Sequence, residues 1–281
     1  MPGTLYVVAT PIGNLADLSA RAQEVLKSVA LIACEDTRTS RTLLARHGIA
    51  AITVALHEHN ERVAAAKLLQ ALHAGKDVAL ISDAGTPAVS DPGALLVEAA
   101  HGEGIRVVPV PGPSASVAAL SASGFATGRF LFAGFLPAAR AARRKALAEL
   151  PGSCAVILYE APHRVLEAVA DLAERFGAER EIVIARELTK KFEEVARMKL
   201  GEARAWLEAG PHRQQGEFVL VLGPAKEEAI DPLAEGERVL AVLLDSLPAS
   251  EAARLAARIS GAPRKALYRM ALERKARGLN Q

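Results

Sequence analysis

The chain alternates short apolar runs with longer stretches in which apolar residues recur at helical spacing. In the first half the runs fall at 5–9, 29–34, 52–56, 78–81 and 105–110. Each is long enough for a buried strand and too short for a buried helix. Five strands alternating with helices predict a mostly parallel sheet with helices packed on its faces. The second half keeps a looser alternation. Runs at 130–133, 154–159, 182–185 and 218–222 predict a second α/β region with a mixed sheet, and Pro162 marks the start of a helix reaching Phe176. After residue 231 the strand signal stops. Amphipathic stretches at 235–247, 250–260 and 263–277 predict three helices, and the turn Gly261-Ala262-Pro263 is short enough for a helix-turn-helix unit. The expected organisation is α/β, with α/β domains at 1–115 and 116–228 and a helical extension at 229–281.

The segments leaving the strands carry the polar signal. The most heavily marked is 78–93, VALISDAGTPAVSDPG. Its apolar run stops at Ser82, and Asp83, Gly85, Thr86 and Pro87 favour turns. Asp91 is expected to cap the following helix, with Pro92 in its first position. Gly85 lets backbone approach a ligand closely, while Asp83 and Thr86 supply an acceptor and a hydroxyl. Open α/β sheets bind ligands at the carboxyl ends of their strands. Other exits are marked too: Pro11 and Gly13, Glu35-Asp36-Thr37-Arg38, His57-Glu58-His59, and Pro111-Gly112-Pro113-Ser114. No Gly-x-Gly-x-x-Gly follows a strand and no Gly-x-x-x-x-Gly-Lys-Ser/Thr occurs, which argues against a dinucleotide dehydrogenase or a phosphate-loop NTPase.

Composition narrows the class without choosing a partner. A chain of 281 residues with 51% hydrophobic and 23% charged content suits a soluble protein of two domains, and a formal net charge of +2 nominates no ligand. No apolar run approaches the ~20 residues that cross a membrane. Met1-Pro2-Gly3-Thr4 lacks a signal-peptide pattern. Cys34 and Cys154 sit far apart in apolar runs and are expected as buried, reduced thiols of a cytoplasmic protein. No metal is expected, because His57 and His59 share a face only on a strand and no further ligands cluster near them. Charge is uneven, however. The last helix carries Arg264, Lys265, Arg269, Arg274, Lys275 and Arg277 against Glu273 alone. With Tyr268 available to stack on a base, that run fits nucleic acid as well as a solvated face. Arg140, Arg143 and Arg144 are expected to extend the basic track.

Five segments together carry a resemblance: 4–18 (TLYVVATPIGNLADL), 34–39 (CEDTRT), 81–93 (ISDAGTPAVSDPG), 110–116 (VPGPSAS) and 159–164 (YEAPHR). In this order they resemble the tetrapyrrole methylase superfamily, and within it the bacterial enzymes that methylate a cytidine 2′-hydroxyl of 16S rRNA. The similarity spans 4–224, and the helical tail is similar, more loosely, to that branch's C-terminal extension. The resemblance implies two α/β domains of tetrapyrrole-methylase type with S-adenosylmethionine in the cleft between them. It also implies a homodimer, with 16S rRNA near the decoding centre, within the 30S subunit, as partner. Carried over by position, the cofactor would meet Pro11, then Ser82, Asp83, Gly85 and Thr86, then Ser114 and Ala115. The second domain would supply Tyr159 or Glu160, Leu188, and Glu217-Phe218. One position departs: relatives acting on tetrapyrrole carbons commonly show Gly-Asp-Pro where this chain has Ser82-Asp83-Ala84, which fits the RNA branch.

Moving a methyl group from a sulfonium to a ribose hydroxyl needs in-line alignment and removal of the hydroxyl proton. The rim offers Asp36, Glu58 and Glu187 as bases, with Lys190 or Arg38 to hold a phosphate or the hydroxyl. No spacing selects among them. A methylase of a small tetrapyrrole-like substrate is the alternative, and it would gain nothing from a basic tail. An RNA-binding module without catalysis would show broken cofactor loops, and these are intact.

Overall fold

The computed structural model describes residues 1–126, 128–225 and 231–278, with 275–278 described by backbone alone. The chain forms two compact units, Met1–Ala225 and Lys226–Gln281.

In the first unit β1 (Leu5–Val8), β2 (Leu31–Cys34), β3 (Ile52–Ala55), β4 (Val78–Leu80) and β5 (Val107–Val110) form a parallel sheet ordered β3-β2-β4-β1-β5. Its helices are α1 (Ala20–Ser28), α2 (Thr37–Arg46), α3 (Glu61–His73) and α4 (Ala94–Gly102). Leu26 of α1 and Leu43 of α2 cluster with Val8, Ile32 and Ile81, whereas Leu68 of α3 and Leu96 of α4 cluster with Leu5, Val78 and Leu80. Successive strand residues point to opposite faces, and helices cover both, so these strands read as unbroken apolar runs.

α5 (Ala115–Ala122) carries the chain from β5 to a second sheet, where Ala119 packs with Ile157, Val183 and Val221. That sheet holds β6 (Phe130–Phe135), β7 (Ala155–Glu160), β8 (Glu181–Arg186), β9 (Glu194–Lys199) and β10 (Phe218–Leu222) in the order β6-β7-β10-β8-β9. β6 and β7 are parallel; β10 runs antiparallel between β7 and β8, and β9 pairs antiparallel at the edge. α6 (Arg140–Glu149), α7 (Val165–Phe176) and α8 (Leu200–Glu208) bury Leu147, Leu172 and Leu207 against Leu158, Ile184 and Leu220. The reversed direction of β10 places its first residue beside the ends of two neighbours, because Phe218 pairs with both Glu160 and Arg186.

In the second unit α9 (Pro232–Leu244), α10 (Ala249–Ser260) and α11 (Arg264–Gly278) enclose Leu240, Ala252, Ala256, Leu267 and Ala271. α10 ends at the left-handed Gly261, and the chain re-enters a helix three residues later. On α11, Arg264, Lys265, Arg269 and Arg274 are exposed, and Tyr268 is 40% exposed. Arg269 lies 4.0 Å from Glu273 and Arg274 lies 3.5 Å from Glu237. The side chains of Lys275 and Arg277 lie outside the described residues.

Several sequence expectations change. Asp91 does not cap α4. Gly93, at φ 123°, is the cap residue, and the Glu61 carboxylate accepts from the N–H groups of Gly93 (2.8 Å) and Leu95 (3.0 Å). β9 was not foreseen: it carries Glu194, Arg197 and Lys199 and shows no apolar run, as suits a charged edge strand. Cys34 is buried but Cys154 is only half-buried, and both are free thiols.

The basic segment 140–145 is also not an open cationic track. Arg143 is wholly buried and donates to Asp171 (2.7 Å) and Glu167 (2.9 Å), so it cannot meet RNA. Arg140 and Arg144, though exposed, face Asp171 and Glu174 respectively. Removing one partner of a buried ion pair costs about 3–5 kcal/mol. Asp171→Ala is therefore expected to lower the unfolding free energy in urea by about 3 kcal/mol. Glu167, with a side chain 68% exposed, should cost under about 1 kcal/mol when changed to Ala. Equal losses would contradict this account of the α6–α7 contact.

Candidate active site where the two sheets meet

β4, β1 and β5 are neighbours in the first sheet, so the loops leaving them converge on one rim. Thr10 ties the first two loops together. Its N–H donates to the Gly85 carbonyl (2.8 Å), the Gly85 N–H donates back to the Thr10 carbonyl (3.1 Å), and the Thr10 hydroxyl donates to the Ser82 carbonyl (3.0 Å). Thr86 then ties the β4 loop to the β5 loop by donating to the Pro113 carbonyl (3.2 Å). Opposite this rim stand the ends of β7 and β8 and the start of β10. The Tyr159 hydroxyl accepts from the Ser116 N–H (3.2 Å), linking β7 to the first turn of α5.

A cavity of about 390 Å³ lies between them. The first sheet's loops contribute Ile12, Asp83 to Thr86, Val89 to Asp91, Ser114 and Ala115. The second sheet contributes Phe135, Tyr159 to Pro162, Leu188 and Glu217 to Val219. This is the scale of a small-ligand site, apolar with a few polar groups. Glu160 is the most constrained of those groups. It is 2% exposed; its Oε1 accepts from the Ala161 N–H (2.8 Å) and the Arg164 guanidinium (2.8 Å), while its Oε2 is buried without a partner. A buried carboxylate oxygen without a donor is costly.

Backbone strain is concentrated at the same place. Among the described residues, the non-glycine residues at positive φ are Ala88 (65°), Ser90 (64°), Glu187 (52°) and Thr189 (65°), all in the loops after β4 and β8. Such conformations cost about 1–3 kcal/mol each and persist only where the surroundings enforce them. In the β8 loop Glu187 supplies the enforcement: its Oε1 accepts from Lys190 Nζ (2.9 Å) and from the Glu217 N–H (2.9 Å). Lys190 also reaches Glu217 Oε2 at 2.9 Å. Gly13 lets the first loop lie against this one, since a Cβ there would sit 2.5 Å from Lys190 Cγ and 3.1 Å from the Leu188 carbonyl oxygen.

The charges beside the cavity are uneven. A second cleft of about 540 Å³, lined by Glu35, His57, Glu58, His59, Glu61 and Ser90 to Pro92, shares Ser90 and Asp91 with the first. Burial raises the carboxyls of Glu35, Asp83 and Asp91 above the ordinary range, and neighbouring acids add to the effect in each case. Asp36 behaves oppositely. It caps α2 and pairs with Arg38 at 2.9 Å, which holds its carboxyl down at about 2. For Glu187, burial opposes ionisation, but Lys190, the Glu217 N–H and Arg186 outweigh it and leave the carboxyl below the ordinary range.

Two family models match the chain: one described as tetrapyrrole (corrin/porphyrin) methylases over residues 4–204, and one described as the RsmI C-terminal HTH domain over 231–275. The chain belongs to the tetrapyrrole methylase family. Its relatives include proteins named ribosomal RNA small subunit methyltransferase I. The one from Xylella fastidiosa is 52% identical over 95% of this chain and 98% of its own length. The one from Pseudomonas aeruginosa is 52% identical over 97% and 98%. Solved structures share the fold at lower identity. The methyltransferase CobJ superposes with a TM-score of 0.59 at 20% identity, covering 79% of this chain and 95% of that one. Uroporphyrin-III C-methyltransferase from Thermus thermophilus, complexed with S-adenosyl homocysteine, gives 0.53 at 19% identity, covering 79% and 97%.

Within this family member, most of the residues expected at the cofactor meet on the cavity: Asp83, Gly85, Thr86, Ser114, Ala115, Tyr159, Glu160, Leu188, Glu217 and Phe218. Pro11 and Ser82 do not line it. Both are buried behind it, and the Ser82 hydroxyl is directed to the Gly85 carbonyl (3.3 Å) of its own loop. The expected catalytic groups are not brought together. Glu58 lies on the acidic cleft, Asp36 is locked to Arg38, and Glu187 and Lys190 neutralise each other in the β8 loop. Sequence reasoning missed Asp91, whose place before a proline reads as a helix cap, and Phe135, which extends β6 beyond its apolar run. No group of three or more metal-ligating side chains occurs among the described residues. Gly13→Ala is expected to force the β8 loop away and speed amide exchange at Glu187 and Lys190 about tenfold, with β10 amides unchanged. Unchanged exchange at both would contradict the close approach.

Proposed function

We propose that the chain transfers a methyl group from S-adenosylmethionine to the 2′-hydroxyl of a cytidine in 16S rRNA, acting as a cytoplasmic homodimer on the 30S subunit near the decoding centre. The observation that carries this reading is half-identity, along nearly the whole chain, to proteins named as small-subunit rRNA methyltransferases. That similarity includes the helical tail, where Arg264, Lys265, Arg269 and Arg274 are exposed on α11. A methylase of a small tetrapyrrole would have no use for that surface.

The cavity's residues suit the cofactor. When bound, S-adenosylmethionine supplies an electrophilic methyl on a sulfonium whose charge is discharged on transfer. Ile12, Phe135, Leu188 and Phe218 would enclose its apolar parts and exclude water. Thr86, Ser114 and Ala115 would line its polar edge, beside Glu160.

The proton of the ribose hydroxyl needs an acceptor at the mouth. Asp36, held at about 2 by Arg38, is a weak one, and Glu187 is committed to Lys190. Glu58 stays open to solvent. Asp91 stands on the wall shared by the cavity and the acidic cleft, and burial makes its carboxylate a stronger base. We assign it the proton-accepting role. Because a base works only when deprotonated, the rate should rise with pH through the Asp91 titration and then level off.

Labelled methyl from S-adenosylmethionine, offered to 30S particles lacking ribose methylation, should appear on the 2′-oxygen of a single cytidine. Asp91→Asn should lose at least about a hundredfold in rate while still binding the cofactor. Label on a base carbon, or on no RNA, would overturn the proposal.

A further inference from the structure

The cavity has a basic flank as well as an acidic one. An open groove of about 990 Å³ is lined by Gly13 to Ala16, Gln23, Arg46, His47 and Thr189 to Lys191. It adjoins the cavity along the seam where Ile12 is followed by Gly13 and Leu188 by Thr189. No acidic side chain lines it, whereas the opposite cleft carries Glu35, Glu58, Glu61 and Asp91. Lys190 is neutralised by Glu187 and Glu217. Arg46 and Lys191 are exposed, and no ion pair to either is found among the described residues. Arg46, in the last turn of α2, is favourably placed for that helix's dipole, and Glu193 borders the groove by accepting from the Thr189 N–H (2.5 Å). Thr189 is held at φ 65°, and its hydroxyl is covered, packed against the Gly13 loop.

We propose that this groove holds the RNA phosphodiester backbone flanking the nucleotide to be methylated, with Arg46 and Lys191 neutralising phosphates. A polyanion is repelled from the acidic cleft and drawn to the basic side, so the strand reaches the cavity across Gly13 and Leu188. Phe192, 64% exposed with Lys191 Nζ 5.5 Å from its ring centre, gives an unstacked base an aromatic surface at the same edge. His47, whose Nε2 contacts the Leu15 carbonyl at 3.1 Å, positions the loop that forms the groove's floor.

The inference rests on the RNA reading above, and binding measurements separate the two. Affinity of the full chain for 30S particles and for deproteinised 16S rRNA is measured across a salt series, without cofactor. Each backbone phosphate neutralised on a single strand contributes about 0.7 to the logarithmic salt slope. Arg46→Ala with Lys191→Ala should weaken binding to both RNA forms at least tenfold and reduce the slope by about 1.4, leaving S-adenosylmethionine affinity unchanged. Lys67→Ala, on α3 and outside the groove, should change none of these. Wild-type affinity and slope in the double variant would overturn the groove assignment and leave the methyltransferase reading standing. A loss confined to 30S particles would assign the groove to an acidic ribosomal protein instead. Failure of the wild-type chain to bind either RNA would overturn both.

Discussion

The strand order β3-β2-β4-β1-β5 brings together loops that are far apart in sequence, and the site depends on that adjacency. The loop after β1 and the loop after β4 are more than seventy residues apart, yet Thr10 and Gly85 exchange two backbone hydrogen bonds as though they were strand neighbours. Thr86 extends the tie to Pro113 and so to α5. Without this lock the loops of the first sheet would be three independent turns. With it they form one wall, and the reversed strand β10 gives the second sheet a matching wall by aligning Phe218 with Glu160 and Arg186.

Several costs are concentrated along this seam. Four side-chain-bearing residues are held in left-handed backbone conformations, and a carboxylate oxygen of Glu160 is buried unsatisfied. Three carboxyls beside the rim are pushed toward their neutral forms by burial and by one another. The acid cluster and the basic groove also give the cavity two electrically distinct approaches.

Much of the fold was legible because buried strands covered on both faces leave unbroken apolar runs. β9 was not, since an edge strand alternating charged and half-buried positions looks like a loop. The resemblance marked loop positions, and the structure shows which of them line the cavity and which, like Pro11 and Ser82, sit behind it. Asp91 was misread because Asp-Pro is a helix-start signal, and the true cap, Glu61, comes from another helix thirty-two positions away from Gly93. Arg143 was misread for the same kind of reason: a run of arginines is visible in sequence, but the Asp171 and Glu167 facing it are not. Long-range partners of charged groups are the information that a linear pattern lacks.

The most direct test of the central claim is a crystal structure of this chain with S-adenosylhomocysteine. Density is expected in the cavity between Thr86 and Ser114 on one side and Glu160 and Leu188 on the other. A ligand bound in the acidic cleft or elsewhere, with the cavity empty, would contradict the account.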